Sequence, residues 1–583
     1  MSKKKKPDRR PLNQGYLAQS EEMTLRTWTV GALPLINRIL DRMRLDSFLE
    51  EHLPSDGPTM KVPTRRGLLL LVRNILLSRE PIYGLGEWAG RHAPDLIGIP
   101  KHQLKHLNDD RIGRCLDRLF EGMDKSLMIN LVLHVIQEFD LRLDELHNDS
   151  TTVTFQGAYT GAYQEGLRRG IPTLGIKWGH NKDHRPDLKQ LLYILTVTED
   201  GGVPVYFTSA SGNTTDDNTH LETWQIMREL VGSSDFLYVA DCKLASTTNL
   251  RSIDSLGGRF ITVLPRSRRE DKDFKKRLIE TPESICWKEL YEITDEDDNV
   301  LDRLNVVDQR ECTSDGYRLL WFFSQRKAIQ DAQTRANQIE KVRQKINNLQ
   351  ERLESPRTRF RNRPKVEEAV AKILDGSPVG NLINVQIQEN EIETFTQATP
   401  GRPGPNTQYN KKIQIRYRLI MDLHHDQFNN AVATDGTFPL ITNVEDLSEE
   451  EVLRAYKRQP LVEKRFSQFK NDFEVAPVFL KEVSRIQALL GVYFFVLLVQ
   501  TLLERELRHA MEGEQIEDLP LYPEGRACKA PTTRRVIDFF EPIQRHEINR
   551  DGTAEILVTK LSPLHRKLIK LLGLKQSQYG KMI

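Results

Sequence analysis

Residues 145–155 read ELHNDSTTVTF. β-Branched side chains dominate this stretch, and a run of that kind and length predicts a strand. Asp149 lies inside it. A carboxylate in such a strand is costly to bury unless it is paired or holds a metal, so the strand carries a functional signal beside the structural one. Working outward, Gln190–Thr198 (QLLYILTVT) and Val203–Ser209 (VPVYFTS) are two more strands, and the EDGG between them predicts a hairpin. A helix is expected over about Asn218–Val231, then the short apolar strand Phe236–Ala240 (FLYVA), ending at Asp241. A helix near Ser246–Leu256 and a strand at Arg259–Leu264 complete the order β-β-β-α-β-α-β. Three strands able to pair as an antiparallel meander, followed by α/β crossovers, predict an α/β fold: a mixed sheet with flanking helices. In open α/β sheets ligands bind at the carboxyl ends of strands, which is where Asp241 stands.

On either side the pattern differs. Residues 1–23 form a basic, polar tail expected to be disordered. Residues 24–140 are helical by periodicity: Leu33–Met43, Arg65–Leu77, Asp110–Phe120 and Leu127–Phe139 repeat apolar residues every three or four positions, with Asn108 or Asp109 as an N-cap. This all-α N-terminal domain suits DNA binding or docking. The α/β pattern of 141–265 breaks at Pro265. Residues 266–430 read as an insertion of mixed β and helical character, with strand-like pieces at Leu304–Val307, Tyr317–Ser324 and Gln414–Asp422. A helical segment spans Ala328–Leu353, where Ile339, Val342, Ile346, Leu349 and Leu353 form a short heptad seam that fits a helical hairpin. Residues 431–510 return to the α/β pattern with the strand Phe438–Thr442, a helical run over Glu449–Phe469 interrupted near Pro460, and an apolar helix at 484–508. Residues 511–583 read as a C-terminal helical region, with helices at Thr532–Phe540 and Pro563–Leu572.

The chain has 583 residues, which predicts three to five domains, and its mean hydropathy of −0.51 excludes wholesale disorder. Five cysteines lie scattered without CxxC spacing, which argues against a disulfide framework or a cysteine-rich zinc site and for a reducing compartment. No apolar segment follows the basic first residues as a signal peptide requires. The longest apolar run, Ala488 to Leu503, is shorter than a membrane span. The expectation is a cytoplasmic protein with no membrane partner.

Tyr456, Glu463 and Lys470 recur every seven residues, which places them on one face of a continuous helix, with Phe466 and Phe469 on its apolar side. Taken together, HNDSTT, YVADCKLAS, DGTFPLITN and the Y-x6-E-x6-K spacing resemble the catalytic domain of DDE insertion-sequence transposases. GHNKDHRPDLKQ and SGNTTD are similar to that family as well. The resemblance covers most of 141–264 and 430–508. It implies a ribonuclease-H-like sheet. The 222 residues from Asp241 to Glu463 match the subgroup in which a β-rich insertion separates the second Asp from the Glu.

The resemblance implies that Asp149, Asp241 and Glu463 are the catalytic, metal-binding triad. Three carboxylates can hold two Mg²⁺ ions, or Mn²⁺, for in-line phosphoryl transfer. It also implies that Tyr456 and Lys470 contact DNA phosphates. The family's Arg, three residues after the Tyr, falls here on Gln459; Arg458, one residue early, is the candidate substitute. Arg465 stands beside these groups as a further DNA contact. His180, Asp183, His184 and Asp187 can be read as a metal cluster, as locally salt-bridged residues, or as a loop near the active site whose Lys182, His184 and Arg185 face DNA; the last fits the triad best. Trp287 is a candidate for stacking on a flipped base, whereas Trp321, in LLWFFS, fits a core.

The implied partners are double-stranded DNA (the element's terminal inverted repeats and the target) and a second copy of the chain. The implied activity is cut-and-paste transposition by strand cleavage, a hairpin intermediate and strand transfer. Two alternatives stay open: a catalytically inactive DNA-binding regulatory descendant, and a metal-dependent DNA nuclease. The net charge of +2 does not exclude a nucleic-acid partner, because basic residues cluster at 1–10, 266–277, 357–365 and around Lys464, Arg465 and Lys470. DNA affinity is expected to fall steeply with salt.

Overall fold

The computed structural model describes residues 23–580 apart from 59, 124, 296, 308–310, 356, 477, 479 and 551–552, so the tail expected at 1–22 lies outside the described residues. The chain divides into two compact units: Met1–Thr262 together with Val452–Ile583, and Val263–Glu451.

The first unit opens on a strand that the helical periodicity hides, β1 (Met23–Thr29). The expected helices follow at Leu33–Arg42, Thr64–Leu77, Asp109–Gly122 and Lys125–Phe139. Asn108 caps the third of these by accepting the Arg111 N–H at 2.8 Å. The Val483–Gly513 helix packs on Thr64–Leu77 and on Asp109–Gly122. At 31 residues it is long and apolar enough to cross a membrane, which the shorter apolar run in the sequence concealed, but 94% of its most apolar window is buried inside the fold. An all-round apolar helix suits a core or a bilayer. Here the covering is protein, and the helix's buried charges are matched: Glu504 accepts from Arg465 at 3.0 Å, and Arg505 pairs with Asp200.

The sheet of this unit is built from β2 (Glu145–Phe155), β5 (Lys189–Thr198), β6 (Pro204–Ser211), β7 (Leu237–Ala240) and β8 (Arg259–Val263), with β3 (Gly166–Arg168) and β4 (Ile171–Thr173) forming a small separate ribbon. The order is β6-β5-β2-β7-β8: β2, β5 and β6 are antiparallel, and β7 and β8 run parallel to β2. This is the expected meander followed by crossovers, and it makes a mixed α/β sheet. The β5–β6 turn places Gly201 and Gly202 at φ +77° and +61°, a conformation that costs glycine least. Gly212 is constrained by space instead, since a Cβ there would lie 2.1 Å from the Gln190 carbonyl oxygen. That close approach clamps the 175–190 segment against the end of β6.

The second unit contains β9 (Lys288–Thr294), β10 (Val300–Val307), β11 (Arg318–Ser324), β12 (Ile383–Gln397), β13 (Tyr409–Leu423) and β14 (Thr437–Thr442). Its sheet runs β14-β11-β10-β9, and β12–β13 is a ribbon of two 15-residue strands. The inserted unit therefore ends later than residue 430: β14 pairs with β11 along Arg318–Phe323, which draws Phe438–Thr442 into it. The heptad seam on the Gln325–Glu354 helix is buried against Val366 and Val370 of the Arg363–Asp375 helix and against the base of the ribbon, the helical hairpin expected from the spacing.

In the first unit again, β15 (Gln544–Arg550) and β16 (Thr553–Val558) pair with β1 in the order β1-β15-β16. The C-terminal region is thus not purely helical. β15 and β16 follow one another across Asp551-Gly552, a hairpin signal that the helical reading passed over, and β1 joins them from more than 500 positions away.

Candidate active site

The register between β2 and β7 carries the site. Their parallel pairing ends at Asn148↔Ala240, and the next residue on each strand is Asp149 or Asp241. Neighbouring strands lie about 4.8 Å apart, so the two carboxylates emerge side by side where the ladder stops. The Asp241 carbonyl accepts from Thr262 Oγ1 at 2.6 Å, and its carboxylate accepts from the Lys243 N–H at 3.0 Å. Burial, reinforced by the charge of Asp241 and opposed by Lys182, pushes the Asp149 carboxyl up to about 6.

Glu463 lies in the first turn of the Pro460–Ser467 helix. The run is interrupted at Pro460, as its position predicts: the Glu449–Lys457 helix stops, and the Gln459 N–H donates to the Tyr456 carbonyl at 3.0 Å. Tyr456 and Glu463 still share one neighbourhood. Burial first, then the charges of Asp241, Glu463, Cys242 and Asp149, push the Tyr456 phenol up to about 12. The three carboxylates expected as a triad thus all act electrostatically on one tyrosine. Among the described residues, no three His, Cys, Asp or Glu side chains converge tightly enough to ligate a single ion, and this includes the His180–Asp187 loop.

A positive charge already sits at the centre. Lys182 Nζ donates to Asp149 Oδ1 at 3.2 Å and to the Ser150 carbonyl at 2.7 Å, and it pairs with Asp216 Oδ2 at 3.1 Å. Burial works against this ammonium, but Asp149 and Asp216 outweigh it and hold its pKa above the usual lysine value. The loop that carries Lys182 packs against β2. Its lysine faces the carboxylates, however, and not outward to DNA. His184 and Arg185 are exposed as expected, with Arg185 forked onto Asp187 at 2.9 and 2.7 Å. Lys470, within a π-helical turn at Gln468–Asp472, pairs with Asp183 of this loop.

Two residues that the sequence reading left without a role complete the surroundings. Asp216 follows β6 in SGNTTD and accepts from Ser150 Oγ at 2.7 Å. His220 opens the following helix, with Nδ1 3.3 Å from the Tyr238 hydroxyl and Nε2 3.9 Å from Asp241 Oδ1. Burial holds the His220 pKa below its ordinary value despite both neighbouring aspartates, which favours the neutral ring. The signal for Asp216 was a second acid after a strand end, the same signal that marked Asp241.

Three expected DNA contacts are placed otherwise. Arg465 is 1% exposed and bonds to Glu504, Gln468 and the carbonyls of Gly201 and Gly202, so it braces the helix against the β5–β6 turn and cannot meet phosphate. Arg458, the candidate substitute for the arginine that the resemblance implied, has both arms of its guanidinium on Glu145 of β2. Gln459 is buried too, donating to the Asn148 carbonyl at 3.0 Å and meeting His147 Nδ1 at 3.0 Å. Burial pushes the Glu145 carboxyl up, but His147 and Arg458 outweigh it and leave it below its usual range. Positions 458 and 459 therefore fasten the Glu463 helix to β2. In the second unit, Trp287 is half-buried, edge-on to Phe274 and Phe323, and Trp321 stacks on Phe274 at 3.8 Å as a core residue.

Residues 25–133 match the model of a domain of unknown function (DUF4277). Among solved structures, the chain is similar to a piggyBac transposase in a synaptic complex with hairpin DNA, with 8% identity over 87% of this chain and 78% of that one and a TM-score of 0.34. No curated protein matches.

Proposed function

We propose that this chain is a DDE transposase that moves an insertion sequence by cut-and-paste, acting in the cytoplasm as a dimer on the terminal inverted repeats of its element and on target DNA. The observation that carries the reading is the pairing of β2 with β7, which ends just before Asp149 and Asp241. The sheet order around it suits a ribonuclease-H-like nucleotidyltransferase.

The donor chemistry fits hard divalent cations: all three triad ligands are carboxylates, and the Lys182 ammonium already stands at Asp149 as a cation would. Asp149, Asp241 and Glu463 would hold Mg²⁺ or Mn²⁺. Such ions supply activation of a water or 3′-hydroxyl nucleophile and charge stabilisation at the leaving oxygen. Asp149 and Asp241 are fixed by strand register, and Glu463 by the Arg458–Glu145 and Gln459–His147 contacts of the residues just before its helix. Lys182 has to leave Asp149 or share it, with Asp216 as its remaining partner. Cleavage would release a 3′-hydroxyl, whose attack on the opposite strand would close a hairpin; reopening and strand transfer repeat the same in-line chemistry.

The test is cleavage and joining of duplexes carrying the element's ends, with Mg²⁺. Asp149→Asn, Asp241→Asn and Glu463→Gln should each lower cleavage by ~10²-fold or more, the scale of removing a group that stabilises transition-state charge. Variants that still cut at the wild-type rate would remove the triad. One observation favours a second reading, a DNA-binding regulator without catalysis: Lys182 neutralises Asp149, and neither 458 nor 459 offers phosphate a free arginine. Binding of the ends with no nick under any divalent cation would decide for that reading, and nicking without joined product would decide for a nuclease.

A further inference from the structure

The inserted unit holds a groove between the Gln325–Glu354 and Arg363–Asp375 helices, bounded at one end by the turn that joins them. Lys345 and Arg352 line one wall, Lys365 and Lys372 the other, and Arg359 comes from the turn. Glu368 is the single acid in the lining. All five cations are exposed. Among the described residues, none of the five makes an ion pair; Arg352 lies over the Phe360 ring, 5.3 Å from its centroid. Elsewhere in this unit basic side chains find acids, as Arg363 does with Glu367 and Glu389.

Geometry separates this groove from a pocket for a small anion. The cations form two rows and do not converge on one point. Along each helix the paired positions are seven residues apart, about 10.5 Å at 1.5 Å per residue. One DNA strand advances about 3.4 Å per phosphate along the axis, so each row matches roughly three phosphates. The walls are held rigidly, because Ile346, Leu349 and Leu353 of one helix pack on Val366 and Val370 of the other. None of the five cations is held by an acid among the described residues, so each is available to replace a counterion.

We propose that this groove docks the phosphate backbone of double-stranded DNA, independently of sequence. The proposal rests on the transposase reading and adds a second DNA surface to it, outside the catalytic unit.

The test is a fluorescence-anisotropy titration of the full chain with a duplex of unrelated sequence, between about 50 and 200 mM salt. Arg352→Gln, Arg359→Gln and Lys372→Gln together should weaken binding ~10-fold or more and flatten the log–log salt slope by up to about 2.7, near 0.9 per lost cation. Arg352→Lys, Arg359→Lys and Lys372→Arg together should bind as wild type. Arg269→Gln with Lys276→Gln should leave the slope unchanged. A second variant, Lys345→Gln with Lys365→Gln, repeats the measurement at other positions should the triple variant melt early. Folded variants that keep wild-type affinity and slope would overturn the groove alone, provided the wild type binds and cuts end-bearing DNA. A wild type that binds no duplex would overturn both readings. Displacement by polyglutamate but not by competitor duplex would assign the groove to an acidic protein and sink the proposal.

Discussion

Residues 266–277 and the groove on the helical hairpin are both basic in sequence and belong to the same compact unit. Their charges have different fates. In 266–277, Arg268 pairs with Glu270 and Asp315, Arg269 with Asp273, Lys275 with Asp271, Lys276 with Glu280 and Arg277 with Glu311. Three of those acids, Glu280, Glu311 and Asp315, lie outside the stretch and are delivered by folding. Along the groove no acid is delivered, and Glu368 stands alone among five cations. A run of basic residues therefore says little about a partner until the acids that fold onto it are known.

The extreme of the paired class is Arg465, fully buried on Glu504. Arg465→Met should destabilise the first unit by about 3–5 kcal/mol, since Glu504 is left as an uncompensated buried charge. Denaturant melts measure this, and a loss below ~1 kcal/mol would remove Arg465 from the class. Next comes Glu270. Burial pushes its carboxyl up, but the Ser314 N–H and the Arg268 guanidinium outweigh this and bring it to about 2. A pKa lower folded than unfolded means that the stability Glu270 contributes is complete above about 4.5 and is lost as pH falls toward 2. Urea midpoints followed down that window should drop more steeply for wild type than for Glu270→Gln; equal slopes would show that the pairing in 266–277 contributes nothing. The smallest effect belongs to the groove. Arg352→Gln, Arg359→Gln and Lys372→Gln should each change stability by less than about 0.5 kcal/mol, as exposed sites without an ion pair do. A larger loss would mean that these cations serve the fold after all.

Much of the α/β core was legible because its signals are local. The β-branched run around Asp149, the hairpin turn at 199–202 and the apolar strand ending at Asp241 each announce an element within a few residues. What sequence lacks is direction. Lys182 sits in a polar loop that could face either way, and only the fold turns it onto Asp149. Lys464 and Arg465 look like one basic patch, yet consecutive helical positions point about 100° apart, and Arg465 turns inward. Gln459 looked like a lost phosphate contact, whereas its amide fits between His147 and the Asn148 carbonyl. β1 stayed hidden because its partner strand is the β15 segment near the other end of the sequence.

The division of the first unit by the inserted one also sets a clock. Asp149 and Asp241 are translated 222 residues or more before Glu463. At the ribosome's roughly 5–20 residues per second, that is a delay of about 11–44 s. Throughout that interval a nascent chain carries Asp149, Asp241 and Lys182 without Glu463. Any chemistry that needs Glu463 beside the two aspartates must therefore wait until the whole inserted unit has been made.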